Sequence, residues 1–523
     1  MRDDWIKIEL EEVCDKAEKV KRKKMPLSNS LIYLDISGVD NKINQIVDHK
    51  NYTWEDAPSR AQQIVKYGDV LFSTVRTYLR NIALVSRKKY ENQICSSGFA
   101  VIRGKKSILT SKFVFYFSIY DGFLQPLNQL QTGSSYPAVR NIDVFKQNIL
   151  LPPLPEQRAI VAKIDQLFSD MDNGIANLKA AKAKLEIYRQ AVLKKAFEGE
   201  LTKLWREKQT SLPTSDELLE QIKDQRLKYY QKQLQKWEQA VVEWKKNGED
   251  GKKPNKPQKG KQISRTSVEK IIELQHIPDT WRFIHPEEIA SFDKYSIGIG
   301  PFGSNLKVMD YKSSGIPIIF VKNITRNDFS LEQKFVTEKK YTGLIAHSVQ
   351  PLDILITKMG NPPGDCAIYP ANAQIGVITS DCLKFRVFEK YGERRFFKYC
   401  IESVFIKKQL GLITQGVAQK KISAERFKTL WFPFCSLKEQ TQTVQEIETR
   451  LSVCDKLSES IDQSLKKSEA LRQSILKKAF EGKLLNKAEL QACRQEPDWE
   501  PAQKLLASIQ KKETKKPSRK RKS

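Results

Sequence analysis

The sequence predicts an α+β protein with an internal pseudo-two-fold duplication: two domains of mixed β-sheet and helices, separated by two long helices that pair as an antiparallel coiled coil. Three observations predict it. First, Leu154-Pro-Glu-Gln opens a run that closes with Leu193-Lys-Lys-Ala-Phe-Glu-Gly199-Glu-Leu201, and Leu437-Lys-Glu-Gln opens another that closes with Leu476-Lys-Lys-Ala-Phe-Glu-Gly482-Lys-Leu484. Laid together without a gap, the two agree at roughly 19 of roughly 48 positions, the self-similarity of a repeated unit. Second, both runs carry apolar residues at heptad spacing. Third, each is preceded by short β-rich segments in the same order.

In the first helix Ile164, Met171, Leu178, Leu185 and Val192 recur every seventh residue, and Ile160, Leu167, Gly174, Ala181 and Tyr188 stand four residues ahead of them. Together they read as an a/d seam, thinned at Gly174 and Ala181 so that a partner helix can approach closely. The second helix keeps the stripe at Ile447, Cys454, Leu457, Ile461, Leu471 and Ile475, with Arg450, Ser464 and Ser468 interrupting it. Pro152, Pro153 and Pro155 preset the start of the first helix, and Gly199 and Gly482 sit where a helix stops. Roughly 40 residues at about 1.5 Å each make a rod of about 60 Å.

Strand-like segments before the first helix are Ser30 to Ile36, Asp69 to Ser73, Ile82 to Val85 and Gly98 to Ile102, with Ser111 to Phe123 helical and a last strand over Phe145 to Leu151. The counterparts before the second helix are Ile316 to Val321, Asp353 to Thr357, Cys366 to Tyr369 and Cys382 to Arg386, with Glu393 to Leu410 helical. The chain therefore divides into a first domain (1–151), a central helix (152–201), a helical insertion with a basic linker (202–264), a second domain (265–433), a C-terminal helix (434–485) and a basic tail (486–523), mostly disordered. Within the insertion, Ser215 to Trp244 reads as a polar helix, a hairpin arm or an extension of the rod, and Lys245 to Gln262 as a flexible linker.

Lys and Arg exceed Asp and Glu by 28 over 523 residues. A basic balance of this size points to a polyanion, most often nucleic acid. No apolar run reaches membrane length, the first residues are no signal peptide, and eight scattered cysteines without a CxxC pair read as reduced thiols. The expected location is cytoplasmic. Gly298-Ile-Gly300-Pro-Phe-Gly303 spells a dinucleotide fingerprint, but Pro301 lies inside it and no βαβ pattern surrounds it, so it reads as a loop. Asn361-Pro-Pro-Gly364 resembles the Asn-Pro-Pro-aromatic tetrad of adenine methyltransferases, yet glycine replaces the ring that stacks on a flipped base. No Walker lysine loop is present and the four histidines lack metal spacing. Recognition is therefore expected rather than catalysis, with no metal and no catalytic residue.

Two loops of the first domain suit DNA. Arg76, Tyr78 and Arg80 follow a strand and offer two guanidinium groups for phosphate or a guanine edge. Ser134, Ser135, Tyr136 and Arg140 lie on a polar segment of groove-probing type. The second domain offers Ser304, Asn305 and Lys307, then Lys358 and Asn361, then Gln419, Lys420 and Lys421. Two rival readings are a DNA methyltransferase or nuclease with a fused recognition module, and a coiled-coil scaffold that binds no DNA.

At these residues the chain resembles the specificity subunit of Type I restriction-modification enzymes. The carriers are the Leu-Pro-Pro-Leu-Pro-Glu-Gln stretch at Leu151, both Leu-Lys-Lys-Ala-Phe-Glu-Gly signatures, Gly298 to Lys307 with Ser314-Gly-Ile-Pro317, and Lys358 to Tyr369. The resemblance runs from about Trp5 to Leu485. It implies two target-recognition domains reading a split double-stranded DNA target in a non-catalytic subunit. It also implies two methyltransferase subunits, which use S-adenosylmethionine, and two motor-nuclease subunits, which use ATP and Mg2+; no cofactor is expected on this chain. The insertion at 202–264 departs from the family pattern.

Overall fold

A computed structural model describes residues 4–133, 135–257, 276–303, 305–360, 363–414 and 421–513. The chain forms two compact units: residues 1–180 with 461–523, and residues 181–460. Each long helix, Leu154–Phe197 and Leu437–Phe480, thus contributes one half to each unit.

In the first unit, one four-stranded sheet has the order 50–53, 30–34, 94–96, 61–64, and a second the order 14–15, 99–104, 70–73, 82–84. Ile6–Glu9 pairs antiparallel with Asn148–Leu151, which leads into the helix. Val70–Ser73 is buried along its whole length because alternate side chains of a strand serve opposite faces. Val70 and Phe72 face the core shared with the helices, and Leu71 faces the core between the sheets.

The second unit repeats this order strand for strand. Its sheets run 334–336, 316–319, 376–378, 348–349 and 297–299, 382–385, 354–357, 366–368, and Arg282–Ile284 pairs antiparallel with Phe432–Phe434. Ile354 and Ile356 serve one core and Leu355 the other, as in the first unit. The parallel pairing of 30–34 with 94–96 also recurs, as 316–319 with 376–378.

The repeated signatures have physical causes. The Gln157 side chain accepts from the Thr110 amide at 2.9 Å and donates to the carbonyls of Ile108 (2.6 Å) and Pro152 (3.0 Å). Its counterpart Gln440 accepts from the Glu393 amide (2.8 Å) and donates to Tyr391 (3.0 Å) and Cys435 (2.7 Å). Both glutamines are fully buried, so each clasps its helix to its sheet domain through groups that would otherwise lack partners. The neighbouring carboxylates are buried as well: Glu156 accepts from the Trp5 indole at 2.9 Å and Glu439 from the Thr202 hydroxyl at 2.9 Å. At the other end Gly199 and Gly482 adopt φ of +71° and +73°, the left-handed cap that closes a helix. Phe480 packs edge-on against Phe113 in the first unit (5.2 Å), and Phe197 against Phe396 in the second (5.1 Å).

Within each unit the two helices run antiparallel. In the first, Asp172 pairs with Arg472, whose guanidinium lies 4.8 Å over the Phe168 ring; in the second, Asp455 pairs with Arg189. Under the duplication Asp172 is the counterpart of Asp455 and Arg189 of Arg472, so one pair is the other with the copies exchanged. Ile164, Val192, Ile447, Cys454 and Ile461 are buried on the facing stripe, and Met171, Leu178, Leu185 and Ile475 are half-buried. The companion row differs from the sequence reading. Gly174, Ala181, Tyr188, Leu457 and Leu471 are exposed, and a Cβ on Gly174 would meet nothing within 4 Å. The true companions stand four residues after the heptad positions, at Phe168, Ile175, Arg189 and Ala196, and at Leu451, Leu465, Arg472 and Ala479.

Other expectations change too. The predicted helix at Ser111 to Phe123 is two, Ser111–Ser118 and Asp121–Gln129, and that at Glu393 to Leu410 is also two, Arg394–Glu402 and Val404–Ile413. Phe145 ends a short helix before the last strand. The tail expected to be mostly disordered forms Lys487–Gln495 and Ala502–Glu513, because Cys493, Ala502 and Leu506 bury in the first unit and Arg158 and Lys163 pair with Asp498 (2.8 Å) and Glu489 (3.0 Å). Residues 514–523 lie outside the described residues, as do 258–275, which take in the end of the expected linker and the start of the expected second domain.

Candidate nucleic-acid interface

In the first unit the strand Val70–Ser73 runs into the loop 74–81, which is joined to the loop 132–140. Val75 bridges Ala138, the Arg76 amide donates to the Pro137 carbonyl (2.7 Å), and the Val139 amide donates to Thr74 (2.9 Å). The loops thus form one surface. Arg76 takes a left-handed backbone, φ +49°, which a non-glycine residue adopts rarely. Its guanidinium donates to the Ser135 carbonyl (3.1 Å) and lies 4.9 Å over the ring of Tyr136, itself 72% exposed. Tyr78 is also exposed. The arrangement presents a flat cation and two phenol rings.

Two arginines of the set are engaged otherwise. Arg80, at φ +58°, donates to Asp121 at 2.6 Å and lies 4.0 Å from Glu469. Arg140 forms a forked pair with Asp143 (2.7 and 3.1 Å) at the start of the short helix Asn141–Phe145, which raises its own pKa and lowers that of the carboxyl. Sequence reasoning missed the groups that shape the loop: Asn41 donates to the Leu79 carbonyl (2.8 Å) and Asn44 to Arg80 and Ile82 (3.2 Å each). Their signal was a polar turn, Asp40 to Asn44, distant in sequence.

In the second unit Asn305 and Lys307 are exposed on the loop after strand Ile297–Ile299, and the Lys307 amide donates to Asp310 at 2.8 Å. Lys358 is largely buried: its ammonium donates to the Ser380 carbonyl (3.1 Å) and lies 5.6 Å over Phe302, and burial lowers its pKa. Lys421 is exposed, and its backbone bridges Met359. Beside these groups Phe302, Val308 and Met309 are 68%, 79% and 77% exposed, an apolar edge that the reading by charge overlooked. Ser134, Ser304, Asn361, Gln419 and Lys420 lie outside the described residues.

The tempting motifs resolve simply. Gly300 packs so closely that a Cβ would meet the Thr379 carbonyl at 2.0 Å, and only a three-residue 3-10 turn follows, so no helix start is offered to a pyrophosphate. Gly364, at φ +103°, donates to Thr357 at 3.0 Å and closes the turn between antiparallel strands 354–357 and 366–368. Among the described residues no group of three or more His, Cys, Asp and Glu is placed to hold a metal ion, and no helix is long and apolar enough to cross a membrane.

Residues 2–180 match the Methylase_S family, described as the Type I restriction modification DNA specificity domain. That stretch, about a third of the chain, is similar to a Type I specificity domain. The chain is similar to the specificity subunits of Type I restriction enzymes EcoDI of Escherichia coli (26% identity over 227 residues) and EcoKI of Escherichia coli K12 (30% over 166 residues). These alignments cover 42% and 30% of this chain and 49% and 36% of those subunits, half of their length or less. A longer match, to the EcoBI specificity subunit, covers 71% of this chain and 65% of that one at 23% identity. By fold, the chain resembles the HsdS subunit from Thermoanaerobacter tengcongensis (TM-score 0.52, 24% identity, 92% of this chain and 98% of that one). It also resembles a chain solved in work on complex assembly and conformational transition of the type I R-M system (TM-score 0.65, 23% identity, 92% and 99%). The chain therefore shares its fold with these two structures: sheet domains alternating with long helices that pack together.

Proposed function

We propose that this chain is the DNA sequence-recognition subunit of a Type I restriction-modification complex. The observation that carries the reading is the specificity-domain match over residues 2–180, supported by the same strand order in the second unit. Each sheet domain reads a short half of a bipartite duplex target, the first with Arg76, Tyr78 and Tyr136, the second with Asn305, Lys307 and Lys421 beside the Phe302 edge. Joining two short readers makes the second encounter intramolecular and ties specificity to spacing. The chain itself catalyses nothing. Two methyltransferase subunits supply S-adenosylmethionine chemistry, and two motor-nuclease subunits use ATP and Mg2+, in the cytoplasm.

The test is single-molecule methylation sequencing of DNA from cells carrying this gene with its neighbouring methyltransferase gene, against a deletion of this gene. A split adenine-methylated motif that vanishes on deletion supports the reading. Methylation that persists with both genes expressed refutes it.

A further inference from the structure

Among the described residues, the helix Ser215–Lys246 is fixed to the second unit through its first half. Ser215 Oγ donates to the carbonyls of Thr280 (2.9 Å) and Phe434 (2.8 Å), and Leu218 and Ile222 enter the core. Arg226 donates to the Glu287 carbonyl (2.9 Å) and lies 4.8 Å over Phe292. After Ile222 no helix residue is fully buried, so the last roughly 17 residues form an arm of about 25 Å.

A polar helix of that length is marginal alone. Its own return segment holds it: the Trp237 indole donates to the Pro254 carbonyl (3.0 Å) and that of Trp244 to Gly251 (3.2 Å), while Lys256 and Lys253 sit 5.4 and 5.9 Å over the same rings. Residues 251–257, expected to be a flexible linker, are the second layer of a hairpin. The opposite helix face carries Lys228, Lys232, Gln235, Lys236, Gln239 and Lys246, all exposed, with Asp224 and Glu243 as its acids. Lys228 pairs with Asp224; among the described residues, Lys232, Lys236 and Lys246 form no ion pair.

A protein partner needs an apolar anchor at the centre of its interface, and this face offers only Val242. A phosphodiester backbone needs cations and amide donors in a row, which this face supplies. We propose that the arm is a second duplex-DNA contact, gripping phosphates outside the recognition loops without regard to sequence. The inference rests on the reading that the chain binds DNA.

All eight native cysteines are buried, so Gln239→Cys adds the one accessible thiol for a benzophenone maleimide. Irradiation of the labelled full chain with duplex DNA should give a protein–DNA adduct. Absence of the adduct from protein that still binds the duplex overturns the proposal. In the triple variant Lys232→Gln, Lys236→Gln, Lys246→Gln, the slope of log affinity against log salt should fall by about 2–3, with the ratio of target to random-sequence binding unchanged. An unchanged slope, or a loss confined to target DNA, overturns it. If the unaltered chain binds no duplex at any salt concentration, the parent reading falls and takes this one with it.

Discussion

Replacing Gln157 with methionine should cost the first unit about 3 kcal/mol. The side chain is fully buried and makes three hydrogen bonds to the backbone, with the Thr110 amide and the carbonyls of Ile108 and Pro152. Methionine has nearly the same length and shape, so little cavity forms and the effect isolates the three orphaned groups. Each buried group left without a partner costs about 1–3 kcal/mol, and three at the lower bound give about 3 kcal/mol. The assay is urea unfolding of the full chain, followed together with hydrogen exchange at the Thr110 amide, which should lose its protection. Gln440→Met should do the same to the second unit through Glu393, Tyr391 and Cys435, and the two effects should add because the residues sit in separate cores. A cost under about 1 kcal/mol, with the Thr110 amide still protected, would refute the clasp.

Arg76 and Arg80 should separate in a binding assay. Arg76→Ala should weaken target binding by about 1–3 kcal/mol if it reads a base edge, whereas Arg80→Ala should leave affinity nearly unchanged and lower stability by about 0.5 kcal/mol, since its pair with Asp121 is partly solvent-screened; anisotropy on target and random duplexes, beside urea unfolding, distinguishes them. Adding one heptad after Ala180 and another after Ser460, because the helices are paired, should lengthen the preferred spacer by about 3 base pairs (about 10.5 Å) with both half-sites unchanged. The same spacer in methylation sequencing would refute the idea that helix length sets the spacing of the two half-sites. Burial pushes the Lys384 ammonium down to about 8 from an ordinary 10.5. Between those values the unfolded chain holds the proton and the folded chain does not, so stability of the second unit should rise with pH from about 8 to 10.5, and the penalty is fully present below 8. Lys384→Met should remove that rise; a difference from the parent that stays constant across pH 7–10.5 would count against it.

The duplication was legible because it is written in side chains with fixed work: Gln157, Phe197 and Gly199 each have a counterpart doing the same job, while Glu156 and Glu439 are both buried but take different partners. The companion row of the helix stripe was not. Choosing the row four ahead of the heptad positions collects Leu167 and Tyr188, which look apolar, while the row that faces the partner contains Arg189 and Arg472, whose aliphatic stems and ion pairs fill an interface that a count of apolar letters rejects. The tail misled in the same way, since the lysines of 511–523 drew attention from Cys493, Ala502 and Leu506. Among candidate DNA contacts, residue type located the loops but not their partners: nothing local foretold that Asp121 takes Arg80 or that the Ser380 carbonyl takes Lys358.

The contacts that hold the Arg76 side chain bear on the entropy of the proposed recognition. An arginine free in solvent must give up its rotamers when it docks, at about 0.5–1.5 kcal/mol for each long side chain immobilised. Here the Ser135 carbonyl and the Tyr136 ring already hold the guanidinium. Folding has therefore ordered the group in advance, and on the proposed function an incoming base or phosphate would meet an ordered plane rather than a searching arm. A lysine at the same place would keep the charge and lose that advantage.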